Sequence, residues 1–175
     1  MRGLIHIYTG KGKGKTTAAI GLAMRAYGCG MNVRMAQFLK GSASGELETF
    51  KRLCGRFEII RGKSVDKFVF KMSDEEKAKC REETNALFQS VVSSLVERDV
   101  ELLILDEALG ALKTEMLDLG EVLSFLRAKP DKLEVVLTGR DPPEELVDIA
   151  DYVMDIQAIK HPVDKGIQAR KGIEF

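Results

Sequence analysis

A short apolar segment, Leu4 to Tyr8, runs directly into "TGKGKGKTT" (Thr9 to Thr17), and an alanine-rich helical pattern follows. No other stretch restricts the fold as tightly. Alternating glycine and lysine packs poorly, but between a strand and a helix it makes an anion cradle. Glycines let successive backbone N–H groups turn into one concavity. The helix behind them adds free N–H groups and the positive end of its dipole. Gly14, Lys15 and Thr16 supply the second half of the phosphate-loop pattern G-x-x-x-x-G-K-[ST]. Thr9 stands where that pattern has its first glycine, and Gly10 and Gly12 give the turn its freedom instead. Lys15 is expected to reach phosphate oxygens and the Thr16 hydroxyl to ligate Mg²⁺. Lys11, Lys13 and Thr17 complete the cationic loop.

The rest of the chain alternates strand and helix signals. A helix is expected from about Lys15 to Tyr27, with Ala18, Ala19, Leu22, Ala23 and Ala26 as its packing stripe and Gly28-Cys29-Gly30 as its stop. Strands are expected at Asn32–Phe38, Phe57–Ile60, Glu101–Glu107, Glu134–Thr138 and Tyr152–Ile156. Ser73 and Glu76 have capping-box spacing and open a long helix. Its face is Leu87, Phe88, Val91, Val92, Leu95 and Val96. Asp118 and Glu121 cap a further helix with Leu119, Val122, Leu123 and Leu126 inside, and Asp141, Pro142 and Glu144 start another. Apolar strands separated by helices specify an α/β fold, a mainly parallel sheet covered on both faces. At 175 residues one nucleotide-binding domain over 1–175 is expected, ending in a polar tail from Lys160 to Phe175. Two irregular stretches, Lys40–Glu46 and Arg61–Phe70, follow strands. In open α/β sheets, ligands bind beyond the carboxyl ends of strands.

"LLILDE" (Leu102 to Glu107) adds a second nucleotide signal, an apolar strand ending in two carboxylates. Asp106 is placed to reach Mg²⁺, and Glu107 to touch metal, ribose or a reacting group. The two histidines offer no catalytic base: His6 lies inside the first strand and His161 in the tail. Lysine plus arginine equals aspartate plus glutamate at 27 each, so no global cationic field exists to grip nucleic acid or an anionic membrane. No apolar run reaches the roughly 20 residues of a membrane span, and the residues before the first strand lack the apolar run and cleavage site expected of a signal peptide. Cys29, Cys54 and Cys80 lack metal-ligand spacing and are expected to be reduced packing residues of a cytoplasmic protein. ATP or a relative is the expected ligand, and nothing in these motifs names the acceptor.

Beyond the motifs, the chain resembles the P-loop ATP:corrinoid adenosyltransferases, also called cob(I)alamin or cob(I)yrinic acid a,c-diamide adenosyltransferases. The resemblance runs nearly end to end. It covers "YTGKGKGKTTAAIGLAMRAYGCGMNVRMAQFLKG" (Tyr8 to Gly41), "LLILDE", "LTGR" (Leu137 to Arg140) and "KHPVDKGIQARKGIEF" (Lys160 to Phe175). It implies a RecA-like domain, working as a homodimer, that transfers the 5′-deoxyadenosyl group of ATP to the cobalt of a reduced corrinoid and releases triphosphate. A flavoprotein reductase is the implied electron source. By position, Gly10 to Thr17 would hold the triphosphate, Arg25 and Arg140 would lie against the nucleotide, and Asp106 and Glu107 would serve metal or ribose. Lys15 and Glu107 are then the expected catalytic pair. Members carry an aromatic "GFTW"-like stretch on the corrinoid side, whereas this chain has "RGKSVDKFVF" and no tryptophan. Phe68 and Phe70 are the aromatics available there, for the corrinoid or for the core. Two other readings stay open at this level: a P-loop ATPase or small kinase, which would release ADP or phosphate, and an ATP-binding module without catalysis.

Overall fold

The structure is a computed structural model that describes residues 2–40, 45–50, 52–53, 55–62 and 69–174. Its strands are β1 (Ile5–Thr9), β2 (Val33–Gln37), β3 (Phe57–Arg61), β4 (Leu102–Asp106), β5 (Glu134–Thr138) and β6 (Tyr152–Asp155). Its helices are α1 (Lys15–Gly28), α2 (Gly45–Phe50), α3 (Asp74–Ser93), α4 (Ala108–Lys113), α5 (Leu119–Ala128) and α6 (Glu144–Ile149). The strands form one parallel sheet in the order β3-β2-β4-β5-β1-β6.

Side-chain alternation sorts the core into two layers. Ile5, Ile7, Leu103, Leu105, Val135 and Leu137 point to one face and pack with Phe88 and Val91 of α3, Leu109 of α4, Val122 and Leu126 of α5 and Leu146 of α6. Val33, Met35, Leu102, Ile104 and Val136 point to the other face, against Ala19, Ala23 and Ala26 of α1 and Phe50 of α2. Each large side chain buried this way contributes roughly 1.5–3 kcal/mol. The alanines bring α1 close to the sheet, so its N-terminal turn lies near the carboxyl ends of the neighbouring strands. β1 carries the loop and β4 the two carboxylates, and β5 runs between them.

Most expected elements occur, and β5 has the expected limits. The capping box also forms: Ser73 Oγ accepts from the Glu76 N–H, and Glu76 accepts from the Ser73 N–H. Several expectations need correction. Val96 lies beyond the end of α3 and is 80 % exposed, so it leaves the buried face that Leu95 still shares. Asp118 does cap α5, but Glu121 does not reciprocate, because its carboxylate accepts from Gln89. Asp141 starts no helix: α6 begins after Pro143, and the Asp141 carboxylate pairs with Lys113. β6 is an exposed edge strand rather than a covered one. Two short helices, α2 and α4, occur where the sequence carries no periodic run long enough to announce them. Cys29 and Cys80 are free thiols, exposed and buried respectively, and Cys54 lies outside the described residues.

Candidate active site

Gly10 leaves β1 with φ +108, and a Cβ there would run into the Asp155 carboxylate and the Ile156 carbonyl. Gly14, at φ +119, is the N-cap of α1; space around it is open, so its backbone conformation alone demands glycine. Between them the Gly12 N–H donates to the Ile156 carbonyl at 2.7 Å, which pins the loop to the segment after β6. No side chain caps α1 and no acidic residue lies in its first turn, so its dipole is left for an anion. Lys15 Nζ lies over the loop, donating to the carbonyls of Gly10 (2.7 Å) and Gly12 (2.8 Å). Burial, then the nearby Arg140 charge, lowers the Lys15 pKa, while Glu107 and Asp155 oppose the shift.

Register builds the opposite wall. Gln37 of β2 pairs with Asp106 of β4, and Leu105 pairs with Leu137 of β5, which brings Thr138 beside Asp106. Gln37, Asp106 and Thr138 therefore form a row on the α1 face at the carboxyl edge of the sheet. Asp106 is fully buried and its carboxylate is saturated. Oδ1 accepts from Thr16 (2.8 Å) and Thr138 (2.7 Å). Oδ2 accepts from Gln37 Nε2 (3.1 Å) and from the Lys40 ammonium (2.6 Å). The Thr138 hydroxyl also accepts from the Glu107 N–H at 2.9 Å, which holds Glu107 at φ +61, turned out of the strand line. Burial and the adjacent Asp106 charge raise the Glu107 pKa, against the pull of Lys40, Lys15 and Arg140.

The structure thus brings Lys15, Thr16, Asp106, Glu107 and Arg140 to one corner. Lys11 is exposed at the loop tip, and Lys13 pairs with Glu174 of the tail at 3.1 Å. Glu174 is also held by Arg170, through side-chain and backbone donors first and Lys13 next, so that its pKa falls to about 2. Thr17 is exposed on the first turn of α1. Arg25 lies ten residues along α1 from Lys15, about 15 Å of helix rise, and its charge acts on the phenol of Tyr8, just before the loop. Phe70 sits in a 3-10 turn (Val69–Lys71) and is 77 % exposed, so it does not belong to the core. Phe68 lies outside the described residues. Gln37, Lys40 and Thr138 join Asp106 in this corner, and sequence reasoning does not place them there. Their signal is positional, since "QFLKG" and "LTGR" each follow a strand flanking "LLILDE", but only the register shows that they converge.

Oxygen donors suit a hard divalent cation, and this corner presents the Thr16 hydroxyl, the Asp106 carboxylate and the buried Gln37 Oε1, which has no hydrogen-bond partner. Among the described residues no group of three or more His, Cys, Asp or Glu gathers elsewhere as a metal cage.

Comparison with known proteins decides which nucleotide chemistry this frame serves. The family model described as ATP:corrinoid adenosyltransferase BtuR/CobO/CobP matches residues 1–175. The chain belongs to this family. It is 36 % identical to a corrinoid adenosyltransferase of Pseudomonas aeruginosa, over 99 % of this chain and 84 % of that one. It is 34 % identical to the corrinoid adenosyltransferase CobA of Salmonella typhimurium, over 99 % and 86 % respectively. Among solved structures, a KaiC-like protein of Pyrococcus horikoshii aligns with TM-score 0.54 at 14 % identity, covering 98 % of this chain and 76 % of that one. The cytoplasmic domain of EssC aligns with TM-score 0.52 at 15 % identity, covering 97 % and 34 %. At these identities the likeness concerns the fold alone, a P-loop α/β fold of the RecA-like kind. Membership makes the chain an ATP:corrinoid adenosyltransferase in class, with ATP and a corrinoid as its substrates. No described helix is long and apolar enough to cross a membrane.

Proposed function

We propose that residues 1–175 act as one nucleotide-binding unit that transfers the 5′-deoxyadenosyl group of ATP to the Co(I) centre of a corrinoid. The observation carrying this reading is the convergence of Lys15 and Thr16 with Asp106 and Glu107 at one corner, in a chain that matches the family from end to end. The cobalt lone pair forms the Co–C5′ bond as the C5′–O bond breaks, and triphosphate departs with that bonding pair. Cobalt ends two electrons more oxidised and C5′ correspondingly reduced. No proton moves at C5′, which fits a site without a histidine base.

The chain's tasks are then positioning and leaving-group stabilisation. N–H groups of Gly10 to Thr17 and the Lys15 ammonium receive the triphosphate, with Lys11 and Lys13 adding charge at the loop. Arg140 lies near enough to Lys15 to share that anion. Arg25, whose charge reaches Tyr8 beside the loop, would lie against the nucleotide. Thr16 and Asp106 would hold Mg²⁺, which supplies charge neutralisation on the departing oxygens when bound. Glu107, with its raised pKa, would accept a hydrogen bond from ribose or from metal-bound water. Phe70 is the exposed aromatic for the corrinoid side, with Phe68 as the second aromatic that the sequence offers there. A crevice lined by Phe38, Leu39, Gly62, Cys80, Thr84 and Leu87 lies on the same edge of the sheet. As the family resemblance implies, the enzyme works as a cytoplasmic homodimer supplied with electrons by a flavoprotein reductase.

Incubation with ATP, Mg²⁺ and chemically reduced cobalamin tests the reading. A light-sensitive adenosylated corrinoid and stoichiometric triphosphate are expected. ADP with phosphate would replace it with an ATPase or kinase, and bound ATP with no product would leave a binding module.

A further inference from the structure

Lys40 is not part of the loop, yet its ammonium is held at the buried carboxylate of the site. It lies 2.6 Å from Asp106 Oδ2 and 3.4 Å from Thr16 Oγ1, between two of the oxygens that suit a divalent cation. The backbone is bent to put it there. Phe38 continues the β2–β4 ladder by donating to the Asp106 carbonyl, and Leu39 then turns at φ +51. That left-handed conformation is unfavourable for a leucine, and it returns the next side chain to the carboxylate. Beside it, Gln37 donates to the same Oδ2 through Nε2, while its Oε1, buried with the rest of a side chain only 1 % exposed, accepts from nothing. A buried acceptor without a donor is uncommon and costly. Water bound to a cation at Thr16 and Asp106 is a donor of the right kind.

We infer that Lys40 is a built-in counter-ion that excludes a free divalent cation from the Thr16–Asp106 corner and yields it only when triphosphate arrives with the metal. The inference rests on the proposed role of that corner as the metal site. A free cation must displace an ammonium from a buried carboxylate and leave that ammonium without an anion. Metal–ATP brings a polyanion to which the displaced Lys40 transfers, so the same displacement is compensated. Metal and triphosphate then bind cooperatively, and the linkage is reciprocal, since each raises the affinity of the other by one factor. Lys40 is a positioning residue in this scheme, because it sets the order in which the site fills.

Mn²⁺ binding, followed by electron paramagnetic resonance on the whole protein without corrinoid, reads this directly. Wild type is expected to bind Mn²⁺ weakly alone and tightly with ATP. In Lys40→Met, Mn²⁺ alone should bind about tenfold more tightly, and the enhancement by ATP should shrink by about the same factor. Lys40→Arg, which keeps the cation, should behave as wild type. Unchanged or weaker Mn²⁺ binding by folded Lys40→Met, with a normal thermal melt, overturns the inference. Asp106→Asn separates the two levels: it should weaken Mn²⁺ binding in both the wild-type and Lys40→Met backgrounds. If it weakens neither, the metal corner itself is misplaced and both readings fall. If it weakens both while Lys40→Met has no effect, only the role of Lys40 is lost.

Discussion

Two regions of the molecule, the nucleotide end and the turn that carries Phe70, are built on different principles. At the β1–β5–β4 end the central groups are tied down: the Asp106 carboxylate accepts four hydrogen bonds, Thr138 bridges it to the Glu107 backbone, and Lys15 is bound to two loop carbonyls. Just before α3, by contrast, Phe70 projects into solvent from a single 3-10 turn. The difference follows from the ligands each region is proposed to meet. Phosphate is small and multiply charged, and it rewards donors fixed to within fractions of an ångström. A corrinoid is a broad, largely apolar disc, and a surface of the right character suffices to hold it. The first requirement leaves a dense local signature in the chain. The second leaves only scattered exposed aromatics.

The sharpest way to break this comparison is at the nucleotide end. Lys15→Ala removes the ammonium that the loop holds in place, while leaving the glycine backbone intact. Isothermal titration with Mg-ATP is expected to show affinity falling by about 100-fold, the usual consequence of deleting one preorganised charged donor to an anion. Affinity within a few-fold of wild type would mean that backbone N–H groups carry the triphosphate alone.

A smaller and more selective effect is expected in the other region. Phe70→Ala should raise the KM for reduced cobalamin about tenfold, in keeping with the loss of one large apolar contact. ATP affinity and thermal stability should not change, since the ring is already exposed in the free protein. Equal loss of ATP binding would show that the two regions are not separable. An unchanged KM would move the corrinoid elsewhere, with the crevice at Phe38 and Leu87 as the next place to substitute.

Legibility in the sequence follows the same division. The loop, β1 and α1 are contiguous, so one stretch of residues specifies strand, turn, anion site and helix together. β4 and β5 announce themselves as apolar runs too short to be helices. What escapes is whatever depends on register. Gln37, Lys40 and Thr138 are ordinary residues until β2, β4 and β5 align side by side, and no local pattern states the strand order. Val96 departs for a related reason: helical periodicity continues past Ser93, but the helix does not. Asp141 and the two prolines after it carry the signal of a helix start, yet Lys113 from α4 captures the carboxylate and the helix opens later. Phe70 is equally compatible with core and surface in the sequence, because one aromatic among charged residues has no periodicity to betray its side.

The finest test of the nucleotide end concerns the charge on Glu107. Burial and Asp106 raise its pKa above the ordinary 4.5, so the folded state favours the protonated carboxyl more than the unfolded chain does. A raised folded pKa contributes stability that is fully present below the unfolded value and is lost as pH climbs through the folded one. At pH 7 to 8 the wild type therefore bears the cost of a partly desolvated carboxylate, which the neutral amide in Glu107→Gln avoids. The variant should melt about 2 °C higher there without ligand, a change that corresponds to roughly 0.5–1 kcal/mol for a chain of this size. The gap should narrow as pH falls through the folded value and close below 4.5, where the wild-type carboxyl becomes neutral in both states. Lys40, Lys15 and Arg140 oppose the shift, and that makes the sign informative. If Glu107→Gln melts lower than wild type at pH 7, these cations outweigh burial, and the carboxylate is a stabilising partner of the lysines. The nucleotide end would then be a balanced ion network in the free protein, and the excess positive charge awaiting triphosphate would be smaller than the loop sequence implies.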